Sequence, residues 1–175
     1  QTTIINARIE TAPVRLQENT SGISVDLIAA DSLVLNGYSL SALSLASGDE
    51  SSAATMAAWL NSASGDTGVT AVASNIITVA EEDIDLLQQV RINNVLIGGG
   101  AFPASIDDLS AAINTESAST NVSAYVSRDG DLILANTAGH EGESITLGNP
   151  DGSSSTNALG QSNQTYAGIL ALEST

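Results

Sequence analysis

The chain repeats itself. From Leu60 it reads "LNSASGDTGVTAVAS", and from Ile113 it reads "INTESASTNVSAYVS". The two stretches align without a gap: Leu60-Asn61 falls on Ile113-Asn114, and "TGVTAVAS" falls on "TNVSAYVS". Upstream, Ser52 aligns with Ser105 and Met56 with Leu109, after a loop that is longer in the first copy. Such duplication of a supersecondary unit constrains the fold more than any other feature of the chain. Two copies do not make a solenoid. They predict two small modules of the same design.

Each copy has the same local grammar. "SVDLIAADSLVLNG" places Val25, Leu27, Leu33 and Leu35 mostly at alternate positions, the period of a half-buried strand, and ends on the turn pair Asn36-Gly37. "AATMAAWLNS" has an apolar face formed by Met56, Trp59 and Leu60. Ser52 is its expected N-cap, and Asp49 and Glu50 suit the positive end of its dipole. "GVTAVASNIITVA" alternates again and is expected as a hairpin turning at Ser74-Asn75. The second copy opens with "LLQQVRINNVLI", where Asn93-Asn94 replaces Asn36-Gly37. "GGGAFPA" is a loop, and "SIDDLSAAIN" is a helix with a capping box from Ser105 to Asp108 and a buried stripe of Ile106, Leu109 and Ile113. "NVSAYVSRDGDLILAN" is a hairpin turning at Asp129-Gly130, with Val122, Ala124 and Val126 on one face. "ESITLGN" adds a strand, "DGSSSTNALGQSNQ" reads as flexible, and "TYAGILALES" closes with a strand. The expected seam is the acidic "AEEDID" near residues 80–88, dividing the chain into 1–85 and 86–175, with repeats over about 32–80 and 88–147.

Composition limits what such modules can do. Of 175 residues, 42% are hydrophobic but only 3% aromatic, so the core is built from Ala, Val, Ile and Leu. Four arginines (Arg8, Arg15, Arg91, Arg128) stand against 20 acids, with no lysine, for a net charge of -16. That charge repels nucleic-acid phosphates and anionic membranes and keeps copies apart in solution. The absence of cysteine excludes disulfides, thiolate metal sites and cysteine nucleophiles. No apolar run has the length of a membrane span. Gln1 opens no signal peptide, and strand-like sequence runs almost to Thr175, so a fragment of a longer polypeptide is expected.

The second copy resembles the repeat of bacterial flagellins and hook-associated proteins: a strand ending in an "IN-G"-like turn, a "dL-aaIN" helix, then a "V-A-v---G-L-L" hairpin. Asn93, Leu109, Ile113, Asn114, Val122, Ala124, Gly130 and Leu132 carry the likeness, and "TYAGILALEST" is similar to a strand found beside such repeats. Asn36, Gly37, Leu60, Asn61, Val69 and Ala71 carry it in the first copy, which lacks the Asp-Gly turn. The resemblance implies the exposed, variable, antigenic middle of a flagellin, displayed outside the cell on the motility filament, with O-glycans on Ser or Thr in some relatives. It implies assembly with other flagellin subunits through terminal helices absent from this fragment, since nothing here has sustained heptads. A filament cap or hook-associated protein uses the same repeat, and a glycan-binding adhesive module is the alternative from another class.

No catalytic, cofactor or metal residue is expected. "HEGES" at His140 lacks the second imidazole of a His-Glu-x-x-His zinc helix, because position 144 is Ser, and Gly139 and Gly142 oppose a helix. His140 has no Gly-x-Ser-x-Gly elbow to serve. "IGGGAFP" lacks the lysine and spacing of a phosphate loop. Asp129 and Asp131 offer too few oxygens for calcium and read as a hairpin turn. Asp107 and Asp108 read as first-turn helix residues, and Trp59 as packing between helix and sheet in preference to a sugar platform. The sequons at Asn19, Asn121 and Asn163 read as accidental in a bacterial chain. The expected architecture is α+β: two modules, each a short helix on a small, mostly antiparallel sheet, with added strands at both ends.

Overall fold

Serine hydroxyls start both main helices. In the computed structural model, Ser52 Oγ accepts from the Thr55 amide at 3.2 Å, and Ser105 Oγ accepts from Asp108 at 3.1 Å while donating to its carboxylate at 2.8 Å. Both caps stand where the sequence places them, because a short hydroxyl satisfies amides that the first turn leaves free. The structure describes residues 8–9, 25–45, 51–152 and 155–174, so Asp49, Glu50, Arg15 and Asn19 lie outside the described residues. Along the chain come β1 (Arg8–Ile9), β2 (Val25–Ile28), β3 (Val34–Leu35), β4 (Tyr38–Ser39), β5 (Leu43–Leu45), α1 (Ala53–Ser62), α2 (Ser64–Thr67) and β6 (Val69–Ser74). Then follow β7 (Ile76–Val79), a 3-10 turn at Glu81–Asp83, β8 (Arg91–Ile92), β9 (Val95–Leu96), a 3-10 turn at Ile97–Gly100, α3 (Ile106–Thr115) and α4 (Ser117–Thr120). β10 (Val122–Val126), β11 (Leu132–Asn136), β12 (Ile145–Gly148), β13 (Gln164–Tyr166) and β14 (Ile169–Ser174) complete the order. Every strand pair is antiparallel, and the fold is α+β as expected.

The chain forms two compact units. Unit 1 comprises residues 1–74 and 167–175, and unit 2 comprises residues 75–166. The expected division at 85/86 falls inside unit 2. β7, expected in the first module, pairs with β11, with Ile77 opposite Leu134. The closing strand β14, expected in the second module, pairs with β6 of unit 1 from Ile169↔Ser74 to Ser174↔Val69. Hence the hairpin expected over residues 69–79 does not form. Neither Ser74 nor Asn75 adopts the positive φ that a two-residue hairpin turn needs, and β6 and β7 separate into different sheets.

Each unit repeats one three-stranded arrangement. Unit 1 orders its strands β1-β14-β6, and unit 2 orders them β7-β11-β10. The registers correspond: Ala171 lies opposite Val72 as Ile133 lies opposite Tyr125, and Arg8 lies opposite Ala171 as Thr78 lies opposite Ile133. "GILALES" at Gly168 therefore takes the place of "GDLILAN" at Gly130, and both glycines hold positive φ, 85° and 93°. Unit 2 is inserted where the hairpin turn of unit 1 would be. Before each helix stands a small hairpin with a two-residue turn, Asn36-Gly37 (φ 50° and 85°) in unit 1 and Asn93-Asn94 (φ 47° and 67°) in unit 2. Positive φ at both turn positions matches the twist of the flanking strands and suits Asn and Gly. The run from Val25 to Leu35 is two strands, because Asp31 adopts φ 62° at a turn between them.

Apolar periodicity places the cores. In unit 2, Leu109 and Ile113 of α3 pack with Val122, Leu132, Leu134 and Ile145, all buried. The segment read as flexible closes this core: Asn157, Ala158 and Leu159 are buried, and Asn157 Oδ1 accepts from the Leu159 amide at 2.8 Å. Its burial has no sequence period and is set by that side-chain turn. In unit 1, Leu40, Leu43, Ala57, Trp59, Leu60, Ala71 and Leu170 form the corresponding cluster. Trp59 is buried there, and its indole N–H donates to the Ser41 carbonyl at 3.2 Å, so the expected core packing holds. Leu170 completes the unit-1 core from beyond the insertion. Leu170→Ala is expected to lower the stability of unit 1 by about 2–5 kcal/mol while leaving amide-exchange protection in residues 75–166 unchanged. Equal loss of protection in both units would contradict this division.

Candidate functional site: sealed sheet edges

The residues that carry the repeat resemblance converge on a sheet edge. β10 is an edge strand, and the amides and carbonyls of Val122 and Ala124 face away from β11. In unit 2 these groups are all met by side chains. Asn114, at the end of α3, accepts from Ala124 N–H through Oδ1 at 2.8 Å and donates to Ala124 C=O through Nδ2 at 2.8 Å. Ser110 Oγ donates to the same carbonyl at 3.1 Å. Thr120 Oγ1 accepts from Val122 N–H at 3.2 Å and lies 3.3 Å from its carbonyl. A primary amide offers one acceptor and two donors, so Asn114 stands in for one residue of a neighbouring strand. Ile113, fully buried beside it, fixes the rotation of the helix that aims the amide.

A second asparagine locks the corner. Asn93 donates through Nδ2 to Thr120 C=O at 2.7 Å, accepts through Oδ1 from Thr146 N–H at 2.7 Å, and donates its own amide to Thr146 C=O at 2.9 Å. The turn at Asn93-Asn94 is thereby tied to β12 and to the α4–β10 junction. That junction turns at Asn121, whose φ of 57° is left-handed, and its Nδ2 donates to Glu143 at 3.3 Å.

Unit 1 repeats the Asn114, Thr120 and Asn93–Thr120 bonds with its own residues, while Ala57 stands in the place of Ser110. Asn61 accepts from Ala71 N–H at 2.7 Å and donates to Ala71 C=O at 2.8 Å. Thr67 Oγ1 accepts from Val69 N–H at 3.2 Å, and Asn36 Nδ2 donates to Thr67 C=O at 2.8 Å. Gly68, at φ 64°, occupies the place of Asn121.

Residues 92–138 match the family model of the flagellin hook IN motif. The match runs from the Asn93 turn through β11 and contains the whole edge seal of unit 2. It relates this part of the chain to flagellin and hook-type structural proteins. No curated protein matches the chain. Asn114, whose side chain closes the β10 edge at Ala124, lies within the matched residues.

The remaining polar candidates are placed elsewhere. His140 Nδ1 lies 2.8 Å from Glu143 Oε1 in the loop before β12, partly exposed. The Ser144 hydroxyl is buried without a partner, and among the described residues no group of three or more His, Cys, Asp or Glu could hold a metal ion. Asp129 and Asp131 donate their amides to Ser127 Oγ, as a hairpin turn requires. The triple-glycine segment wraps a cavity of about 90 Å³ lined by Gln88, Gln89, Phe102 and Ala112 and by no cation. Arg91 donates to the carbonyls of Asn94 and Pro150. Among the described residues no helix is long and apolar enough to cross a membrane. Sequence reasoning named Asn61, Asn93 and Asn114 as matching positions but not as the groups that seal strands. For Asn61 and Asn114 the signal is a helical Asn ten positions before a small strand residue, Ala71 or Ala124.

Asn114→Ala strands the Ala124 amide, while the Ala124 carbonyl keeps its bond from Ser110 Oγ, and is expected to cost about 1–3 kcal/mol, read by denaturant unfolding of unit 2. Asn114→Asp keeps the acceptor but sets a carboxylate oxygen against the Ala124 carbonyl. Its folded pKa is then raised, so the stability it retains is fully present below the unfolded value, about 3.9, and is lost as pH rises through the folded value. Glu141 behaves in the opposite sense. Its own amide and that of Gly139, with His140 adding attraction, hold its carboxyl below the usual range. Its contribution is present above the ordinary pKa and fades as pH falls through the lowered one, so Glu141→Gln and the parent chain should converge in acid unfolding.

Proposed function

We propose that the chain is the solvent-exposed outer region of a flagellin subunit, a structural and non-catalytic part of the bacterial flagellar filament. The observation that carries this reading is the IN motif over residues 92–138, together with the same asparagine, threonine and turn bonds at Asn36, Asn61 and Thr67. Residues 34–74 and β14 form a second IN-type repeat in this reading. The two repeats are nested, one inside the hairpin of the other, and not in tandem as the sequence suggested. The sealed β6 and β10 edges suit a domain displayed at high density, because either edge left open would recruit neighbouring strands. A net charge of -16 keeps adjacent outer domains soluble and apart. Surface Ser and Thr hydroxyls are the natural acceptors of O-glycans in this setting, and assembly belongs to terminal regions outside this sequence.

Antibodies raised against the chain test the location. Immunogold label along the whole filament is expected. Label confined to the filament tip would assign the chain to a cap protein, label confined to the base to a hook-associated protein, and unlabelled flagella would remove the reading. The nesting has its own test. Ser74 and Ala167 correspond to Ser127 and Asp129, so a single residue closes the gap when residues 75–166 are removed. The ends of the insert are tied by Asn75 Nδ2 donating to the Tyr166 carbonyl at 2.7 Å. Both the closed remainder and the isolated segment 75–166 are expected to unfold in cooperative thermal transitions. An unstructured remainder would defeat the nested-repeat interpretation.

A further inference from the structure

The two edges of the unit-2 sheet are unlike. Asn114, Ser110 and Thr120 close the β10 edge at Val122 and Ala124. β7 forms the opposite edge, and no described residue closes it. Asn75, Ile77 and Val79 direct their main-chain groups toward β11, as the Asn136 amide bonding to Asn75 C=O indicates. Alternation then turns the N–H and C=O of Ile76 and Thr78 outward, where no bond to a described residue meets them. Their side chains are exposed as well, Ile76 at 60%. The segment "NIITVA" is β-branched and uncharged in a chain of net charge -16. It has none of the lysine, proline or bulge that protects an edge strand.

We propose that β7 is a docking edge for β7 of a second copy of this chain, joined antiparallel across a two-fold axis centred on Ile77. In that register Ile76 of one copy lies opposite Thr78 of the other, and each such pair exchanges two main-chain hydrogen bonds. The segment is its own complement, and the exposed Ile76 side chain packs beside Thr78 of the other copy on one sheet face. The acids that follow β7, Glu81, Glu82 and Asp83, leave at opposite ends of the strand pair, so the two acidic runs do not meet. The sealed β10 edges stop further addition, which gives a closed dimer and not a fibre. The contact is small and works against mutual repulsion, so it forms where copies are held close or where salt screens them. It does not rest on the flagellar reading and would hold for any protein displaying this unit.

Sedimentation equilibrium of the full chain, over a range of protein concentrations at low salt and at about 1 M NaCl, where the Debye length is about 3 Å, tests it. A monomer–dimer equilibrium that tightens with salt is expected. Ile76→Lys and Thr78→Pro should each weaken it by roughly tenfold or more, the first by placing charge on the strand and the second by removing an outward donor that bonds no described residue. Tyr125→Lys, on the outer face beside β11, should leave it unchanged. Circular dichroism checks that each variant folds, and Ile76→Lys decides the matter if Thr78→Pro does not. A chain that stays monomeric in high salt, an open-ended series of larger species, or a dimer indifferent to both β7 variants would each overturn the proposal. So would a dimer broken by Tyr125→Lys, which would place the contact on the sheet face.

Discussion

A single side-chain amide holds each unit together at its weakest place. A short three-stranded sheet with a helix on one face leaves two edges of unpaired main chain, and buried amides and carbonyls without partners are costly. Asn114 and Asn61 supply the missing partners for Ala124 and Ala71 while ending the helix that covers the sheet. The same residue therefore fixes the helix over the strand and closes the strand to outside partners. Hydrophobic burial alone could do the first but not the second, because packing is not directional. The threonines at the helix-to-strand corner extend the seal by one position, and the turn asparagines Asn36 and Asn93 anchor the small hairpins to the same corner.

Within residues 92–138 this polar geometry is laid over an ordinary aliphatic core. The core residues Leu109, Ile113, Val122 and Leu132 can be exchanged for others of similar volume. An asparagine that must accept from an amide and donate to a carbonyl of one residue cannot. The helix-end Asn, the corner Thr and the turn Asn recur in unit 1 over a different core, where the helix carries Trp59 in place of Ala112 and Met56 in place of Leu109.

Much of this was legible in the sequence, and the part that was not has a common cause. Helix starts at Ser52 and Ser105, the turns at Asn36-Gly37 and Asn93-Asn94, and the alternating strands are local signals, and the structure keeps them. Strand partnership is not local. "VTAVAS" gives no indication whether it pairs with the next strand or with one far along the chain, so the hairpin at Ser74-Asn75 and the boundary at 85/86 were natural readings that the pairing of β6 with β14 replaces. The plug at Asn157–Leu159 is not legible because a loop held by the Asn157 side chain and a few turn bonds has no period to detect. The edge seal was half visible: its residues stood out by repetition, but an asparagine late in a helix is also an ordinary helix-ending residue.

The junction at Asn75 and Tyr166 sets an order of assembly. β6 and β14 are separated by the whole of unit 2, so closing them from an unstructured chain would carry the entropy cost of a long loop. Once unit 2 has formed, the bond from Asn75 to the Tyr166 carbonyl holds its two ends together, and the long closure becomes a short one. During synthesis from the N-terminus, unit 1 thus waits half-built until the domain within it is complete. Damage to the inner domain is inherited by the outer one, whereas damage to the outer domain leaves the inner one whole.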